Sequence, residues 1–166
     1  MPILESIIRQ PALWNEDTAR TTFENSPHVA ADDILLRFGT TGNGAGDDLE
    51  AVDRPVMRQV RGAKELALNV MGLVGGSRLG RVVITRLAPG DRITPHADTL
   101  GKYADYYSRY HVVLQGMPGS IFTCGDETVS MLSGEIYWFD ASAQHSVMNN
   151  SKDDRVHMLV DARIDP

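Results

Sequence analysis

The chain has 166 residues, 42% hydrophobic and 23% charged, with a formal net charge of -6, proportions that suit one soluble globular domain spanning 1–166 with a real core. The acidic balance argues against a broad electrostatic grip on nucleic acid, and the single cysteine, Cys124, excludes an intrachain disulfide and a thiolate zinc cage. No apolar run approaches the roughly 20 residues of a membrane span, and Met1 to Glu5 lacks the basic lead of a secretory start, so a reducing, cytoplasmic setting is expected.

Residues 1–37 read as a helical or irregular lead-in followed by a strand. Pro11-Ala12-Leu13-Trp14 is a short turn of helix with Trp14 packing inward, and Ile34-Leu35-Leu36-Arg37-Phe38 is brief and apolar, as a strand. His28, alone in a loop after Pro27, is expected at the surface, with a substrate contact as the alternative. Thr40 to Asp48 holds Gly42, Gly44 and Gly46 but lacks the Lys-Ser/Thr ending of a phosphate loop, and Asp47-Asp48 would repel a phosphate. A loop that is a candidate lid is the better reading. Asp53-Arg54-Pro55 looks like a capped helix start. Val56, Val60, Ala63, Ala67, Val70 and Val74 then recur at steps of three and four, predicting one amphipathic helix of about five turns, ended by Gly75-Gly76.

From Arg81 the period becomes that of strands. Val82 to Leu87, Tyr110 to Leu114, Ser120 to Cys124, Glu127 to Leu132, Glu135 to Phe139, Ser146 to Met148 and Val156 to Val160 are short, with Gly-containing turns between several of them and a hairpin at Gly125-Asp126. So many short strands predict a mainly β fold, a double-stranded β-helix or cupin-like jelly roll, with its core at about 80–163.

Three residues of this segment share a metal-binding chemistry. His96 and Asp98 are two apart and so face one side of a strand, and His145 follows later. Two imidazoles and a carboxylate form the triad that holds non-haem Fe(II) with three positions open: two for a bidentate 2-oxo acid, 2-oxoglutarate, and one for O2. Arg155, ten residues beyond His145, offers a guanidinium for a carboxylate, and Arg109 is a second candidate anion contact. Asp140 either fixes the His145 ring or serves the turn. His157 is expected outward or in the core, and the tyrosines 103, 106, 107 and 110 either pack or shape a pocket. Two other functions stay open: a metal-binding cupin with ligand-binding or redox-neutral chemistry, and a non-catalytic interaction module.

Residues from about 80 to 163 resemble the aspartyl/asparaginyl β-hydroxylase family of 2-oxoglutarate oxygenases. The resemblance rests on Thr85, Pro89-Gly90, Pro95-His96, Arg109-Tyr110-His111, Gly134-Glu135, Phe139-Asp140, Gln144 before His145, and Arg155. It implies that His96 and His145 bind iron, that Arg155 with the Thr85 hydroxyl holds the distal carboxylate of 2-oxoglutarate, and that Arg109 and His111 lie near its metal-binding end. Animal peptide hydroxylases of the family have Gly where this chain has Asp98, so the complete triad is a departure shared with bacterial relatives. A small-molecule or peptide substrate hydroxylated on an amino-acid side chain is expected.

Overall fold

The computed structural model describes residues 2–39, 49–98 and 102–165; the Gly42 to Asp48 stretch read as a candidate lid lies outside them. The alternating and β-branched segments pair into two antiparallel sheets. The larger runs in the order β2 (Ala51–Asp53), β1 (Asp32–Gly39), β3 (Arg78–Leu87), β10 (Arg155–Arg163), β5 (Ser108–Gln115) and β8 (Ile136–Trp138); the smaller runs β4 (Arg92–His96), β9 (His145–Asn149), β6 (Ser120–Cys124) and β7 (Glu127–Ser130). Leu87 and Val113 from one sheet pack with Ile93, Phe122 and Val147 from the other, so the two inner faces close on a shared core. This is the expected double-stranded β-helix.

The outer face of the larger sheet is covered by helix. Ile3 and Ile7 of α1 (Pro2–Arg9), Val56, Met57 and Val60, and Ala63, Ala67 and Val70 of α2 (Ala63–Leu73) pack on Leu36, Ile84, Val112, Met158 and Val160. Trp14 joins the rim of this cluster, with the Arg86 guanidinium 4.5 Å above its ring.

The single five-turn helix is corrected to two pieces, a 3-10 turn at Pro55–Arg58 and α2, which has 11 residues. Gly62, at φ +84°, takes the left-handed conformation that interrupts a helix, and the Arg61 N–H donates to Ser6 Oγ of α1 instead (3.1 Å). The apolar spacing still picks out buried positions, because turn and helix present the same side to the sheet. Asp53 is no cap; it ends β2 and pairs with Arg37 and Lys64. Among the described residues no helix is long and apolar enough to cross a membrane.

Side-chain alternation along the central strands decides what enters the interior. On β10, Val156, Met158 and Val160 join the helix-covered cluster. Arg155, His157, Leu159 and Asp161 point the other way, and all four are buried. The larger sheet is therefore apolar under its helices and partly polar inside the roll.

Candidate metal centre and anion pocket

The pairing of β4 with β9 sets His96 opposite His145, with ring centroids 4.2 Å apart. Asp98 is not on a regular strand, as the His-x-Asp spacing suggests, because β4 ends at His96. Its backbone N–H donates to the Ala141 carbonyl (2.8 Å) in the loop beyond. Its carboxylate nevertheless lies 3.7 Å from His96 Nε2, and one donor atom from each of His96, Asp98 and His145 falls within 4.8 Å of the others.

Both rings are oriented locally. His96 Nδ1 lies 2.8 Å from the Thr94 carbonyl, and His145 Nδ1 lies 2.9 Å from that of Ala143. A carbonyl only accepts, so each Nδ1 carries the proton and each Nε2 turns a lone pair to the shared space. His96 Nε2 is closed to solvent and has no hydrogen-bond partner among the described residues. Burial also lowers the pKa of His145, keeping it in the uncharged form a metal requires. Two neutral imidazoles and a carboxylate are a donor set that fits Fe(II).

Arg109, expected as a co-substrate contact, is engaged by protein carboxylates. Its Nε and Nη2 donate to Asp161 (2.8 and 3.0 Å) and its Nη1 to Asp98 (3.1 Å). Burial alone would lower its pKa, but Asp161 and Asp98 hold it well above the ordinary value. Asp161 also accepts from the Tyr103 hydroxyl (2.9 Å), which accepts from the Arg81 N–H (2.7 Å). The Asp98 carboxylate is thus held by a buried polar chain. Asp140, the other candidate for orienting His145, serves its turn: its carboxylate accepts from the Ser142 N–H and hydroxyl (2.9 and 2.6 Å).

A few residues along the roll, Arg155 is 2% exposed, and its Nη2 lies 3.0 Å from His157 Nδ1. No carboxylate pairs with it among the described residues. Burial, then the nearby Arg20, pull its pKa down to about 9, so it remains charged at neutral pH. A buried cation without a counter-anion is costly, and the cost is relieved when an anion binds. Thr85, the register partner of His157, accepts from Arg20 Nη2 (3.0 Å), and Arg20 is itself paired to Asp33 (2.6 and 2.7 Å). With that acceptor site taken, the Thr85 hydroxyl proton is left for a ligand. His111 is buried against Phe139, and neither ring nitrogen has a partner among the described residues; burial pushes its pKa well down.

The cavity enclosing these groups contains about 410 Å³ of empty space, part of it open to solvent. The metal-ligand candidates, Thr85, His111 and Arg155 all line it, as do two residues from the irregular N-terminal segment, Arg20 and His28. Sequence reading missed Arg20; of the two positions it gave for His28, surface or substrate contact, the structure puts the residue in the cavity lining. Their segment carries no motif, and the one available signal was a lone Arg and a lone His ahead of the buried Asp33. His157, expected outward or in the core, is fully buried and shares the Arg155 side of β10. None of the four tyrosines is among the cavity-lining residues: Tyr103 bonds Asp161, Tyr107 and then Tyr106 pack beside it, and Tyr110 packs on the helix-covered cluster.

A family model described as Aspartyl/Asparaginyl beta-hydroxylase matches residues 57–164. The chain is 33% identical over 92 residues to L-proline cis-3-hydroxylase 1 of Streptomyces sp, covering 54% of this chain and 31% of that protein. It is 35% identical over 78 residues to L-proline cis-4-hydroxylase of Rhizobium meliloti (strain 1021), covering 47% and 28%. The chain thus spans less than one third of the length of these curated relatives. A crystal structure of an oxidoreductase of the 2OG-Fe(II) oxygenase family from Burkholderia pseudomallei superposes with a TM-score of 0.58 at 14% identity, over 89% of this chain and 75% of that one, and establishes the fold.

Proposed function

The chain belongs to the aspartyl/asparaginyl beta-hydroxylase family, and from that premise we propose that it is an Fe(II)- and 2-oxoglutarate-dependent dioxygenase acting on an amino acid. Iron bound with 2-oxoglutarate and O2 supplies the oxidising power to hydroxylate an unactivated C–H, with succinate and CO2 as co-products. His96, Asp98 and His145 would hold the iron. Arg109 would act on that centre through Asp98, fixing the carboxylate rather than touching the co-substrate. Arg155 would bind the distal carboxylate of 2-oxoglutarate bidentately, with the Thr85 hydroxyl donating to the same group. His111, its nitrogens unpaired among the described residues, would donate to the end nearer the metal. Ile93, Phe122, Val147 and Leu159 complete the wall and keep bulk water from the reacting carbon.

The observation that carries this reading is the meeting, in one cavity, of a buried guanidinium that no carboxylate pairs with among the described residues and a three-donor metal cluster. A redox-neutral cupin would need the cluster and leave Arg155 without a task. The substrate we favour is small. The same cavity that holds the metal-ligand candidates and Arg155 must also accommodate the co-substrate, which leaves room for a compact substrate. Since the curated relatives are L-proline hydroxylases, L-proline is the first candidate, ahead of a peptide residue. A reducing cytoplasm, which preserves Fe(II), is the setting we assign.

Anaerobic titration of the Fe(II)-loaded protein with 2-oxoglutarate tests the assignment. A weak visible charge-transfer band should grow in with co-substrate and be missing from His145→Ala. Iron binding with no band would leave the redox-neutral cupin as the better reading.

A further inference from the structure

The geometry points to His28 as the residue that receives the substrate's polar group beside the metal. This rests on the dioxygenase reading and adds to it a substrate-binding residue from outside the family-matched segment of 57–164.

The polar groups lining the cavity can be assigned one at a time. His96, Asp98 and His145 form the donor cluster. Arg109 is engaged by Asp98 and Asp161, and Arg20 by Asp33 and Thr85. Arg155, Thr85 and His111 face the co-substrate in the proposed function. His28 is the lining polar group to which this leaves no role. Its Nδ1 is closed to solvent and makes no hydrogen bond among the described residues, a state that costs free energy unless a ligand completes it. Its ring meets His96 edge-on, with centroids 4.9 Å apart and planes at 83°, which puts it in direct contact with the donor cluster.

The backbone around His28 is built to hold it there. The His28 N–H donates to Ser26 Oγ (3.2 Å), the Ala31 N–H to the His28 carbonyl (2.9 Å), and the Thr94 N–H to the Pro27 carbonyl (3.3 Å). The last bond ties the segment to β4, two residues before His96. Ala31 anchors the other end in the inter-sheet core. A ring that served only packing would not need a loop pinned on both sides and a buried nitrogen without a partner among the described residues. Substrates then divide by whether they offer a hydrogen-bonding group next to the C–H that reacts, which every free amino acid does through its α-amino and α-carboxylate groups.

The test uses the Fe(II)-loaded protein without oxygen, with the twenty standard free amino acids, L-proline first, added to the 2-oxoglutarate complex. In the wild type an amino acid should perturb the visible band at saturable concentration. His28→Ala should leave iron and 2-oxoglutarate affinities within about twofold while weakening the amino-acid response about tenfold, the size of a hydrogen bond lost to a buried partner. His28→Gln, which keeps a donor and an acceptor, should recover part of the loss and guards against a misfolded alanine variant. In turnover, His28→Ala should release more succinate per hydroxylated product. Unchanged amino-acid affinity in both variants would overturn the proposal, as would an equal fall in 2-oxoglutarate affinity. A wild-type band that responds to none of the twenty also overturns it, while leaving the iron and co-substrate reading in place. Absence of any band in the wild type would instead sink that reading.

Discussion

Residues 155–163 build two different surfaces from one strand. On the helix side of β10, Val156, Met158 and Val160 sit among aliphatic neighbours. On the inner side, Arg155, His157 and Asp161 are just as buried but are held by hydrogen bonds, to one another or to Arg109 and Tyr103. Burial alone therefore does not say what a residue is for. The outer face supplies the apolar area that stabilises the fold. The inner face places charges where water is excluded, which costs stability and makes a bound anion favourable.

The sharpest way to break that contrast is Arg155→Met. Truncating one side of a buried charge pair costs about 2–5 kcal/mol, so 2-oxoglutarate affinity should fall by a factor on the order of a thousand by calorimetry. The same change removes an unpaired buried cation, so the melting temperature of the ligand-free protein should stay level or rise; a clear fall would mean that Arg155 belongs to the stabilising face. Met158→Ala is the converse. It should destabilise by about 3 kcal/mol, as large-to-small core changes do, with co-substrate affinity at low temperature within about twofold of wild type. A variant that folds well but binds poorly would merge the two faces.

A smaller effect concerns pH. Burial holds the His157 pKa well below its ordinary value. The unfolded chain takes up a proton at this residue as pH falls below about 6.5, whereas the folded protein does not. Its contribution is therefore flat above that pH, and stability is lost below it with a slope of about 1.4 kcal/mol per pH unit. Denaturant unfolding at about pH 7 and about pH 5.5 should show His157→Gln losing roughly 1 kcal/mol less than wild type over that interval. Equal losses would mean that the inner face already accepts this proton.

The strands, the sheet class and the donor cluster were legible because each is written in short-range pattern: β-branched alternation, Gly at the turns, His two before Asp. The carboxylate partners of Arg109 were not. Its type and spacing suited an anion contact, and only the pairing of β5 with β10, which sets Asp161 opposite Arg109, puts a carboxylate in its reach. Asp161 itself left a readable trace, as the one acidic residue of the segment that forms β10. Gly62 was a visible warning within the five-turn helix, outweighed there by a periodicity that a helix and a preceding 3-10 turn can share. Arg20 and His28 had no pattern to betray them, since their positions depend on contacts with β3 and β4, far along the chain.

The three donors differ in how they are held in place. Each imidazole is aimed by a carbonyl two residues upstream, so Thr94-Pro95-His96 and Ala143-Gln144-His145 each carry their own alignment within a tripeptide. The carboxylate of Asp98 relies on Arg109, Asp161 and Tyr103, gathered from three separate segments. The histidine pair is thus a portable unit, able to survive wide redesign of the surrounding roll as long as two strand ends remain paired. The acidic donor is an heirloom of this particular interior: it cannot be transplanted without its retinue, and discarding it would set Arg109 free for other work.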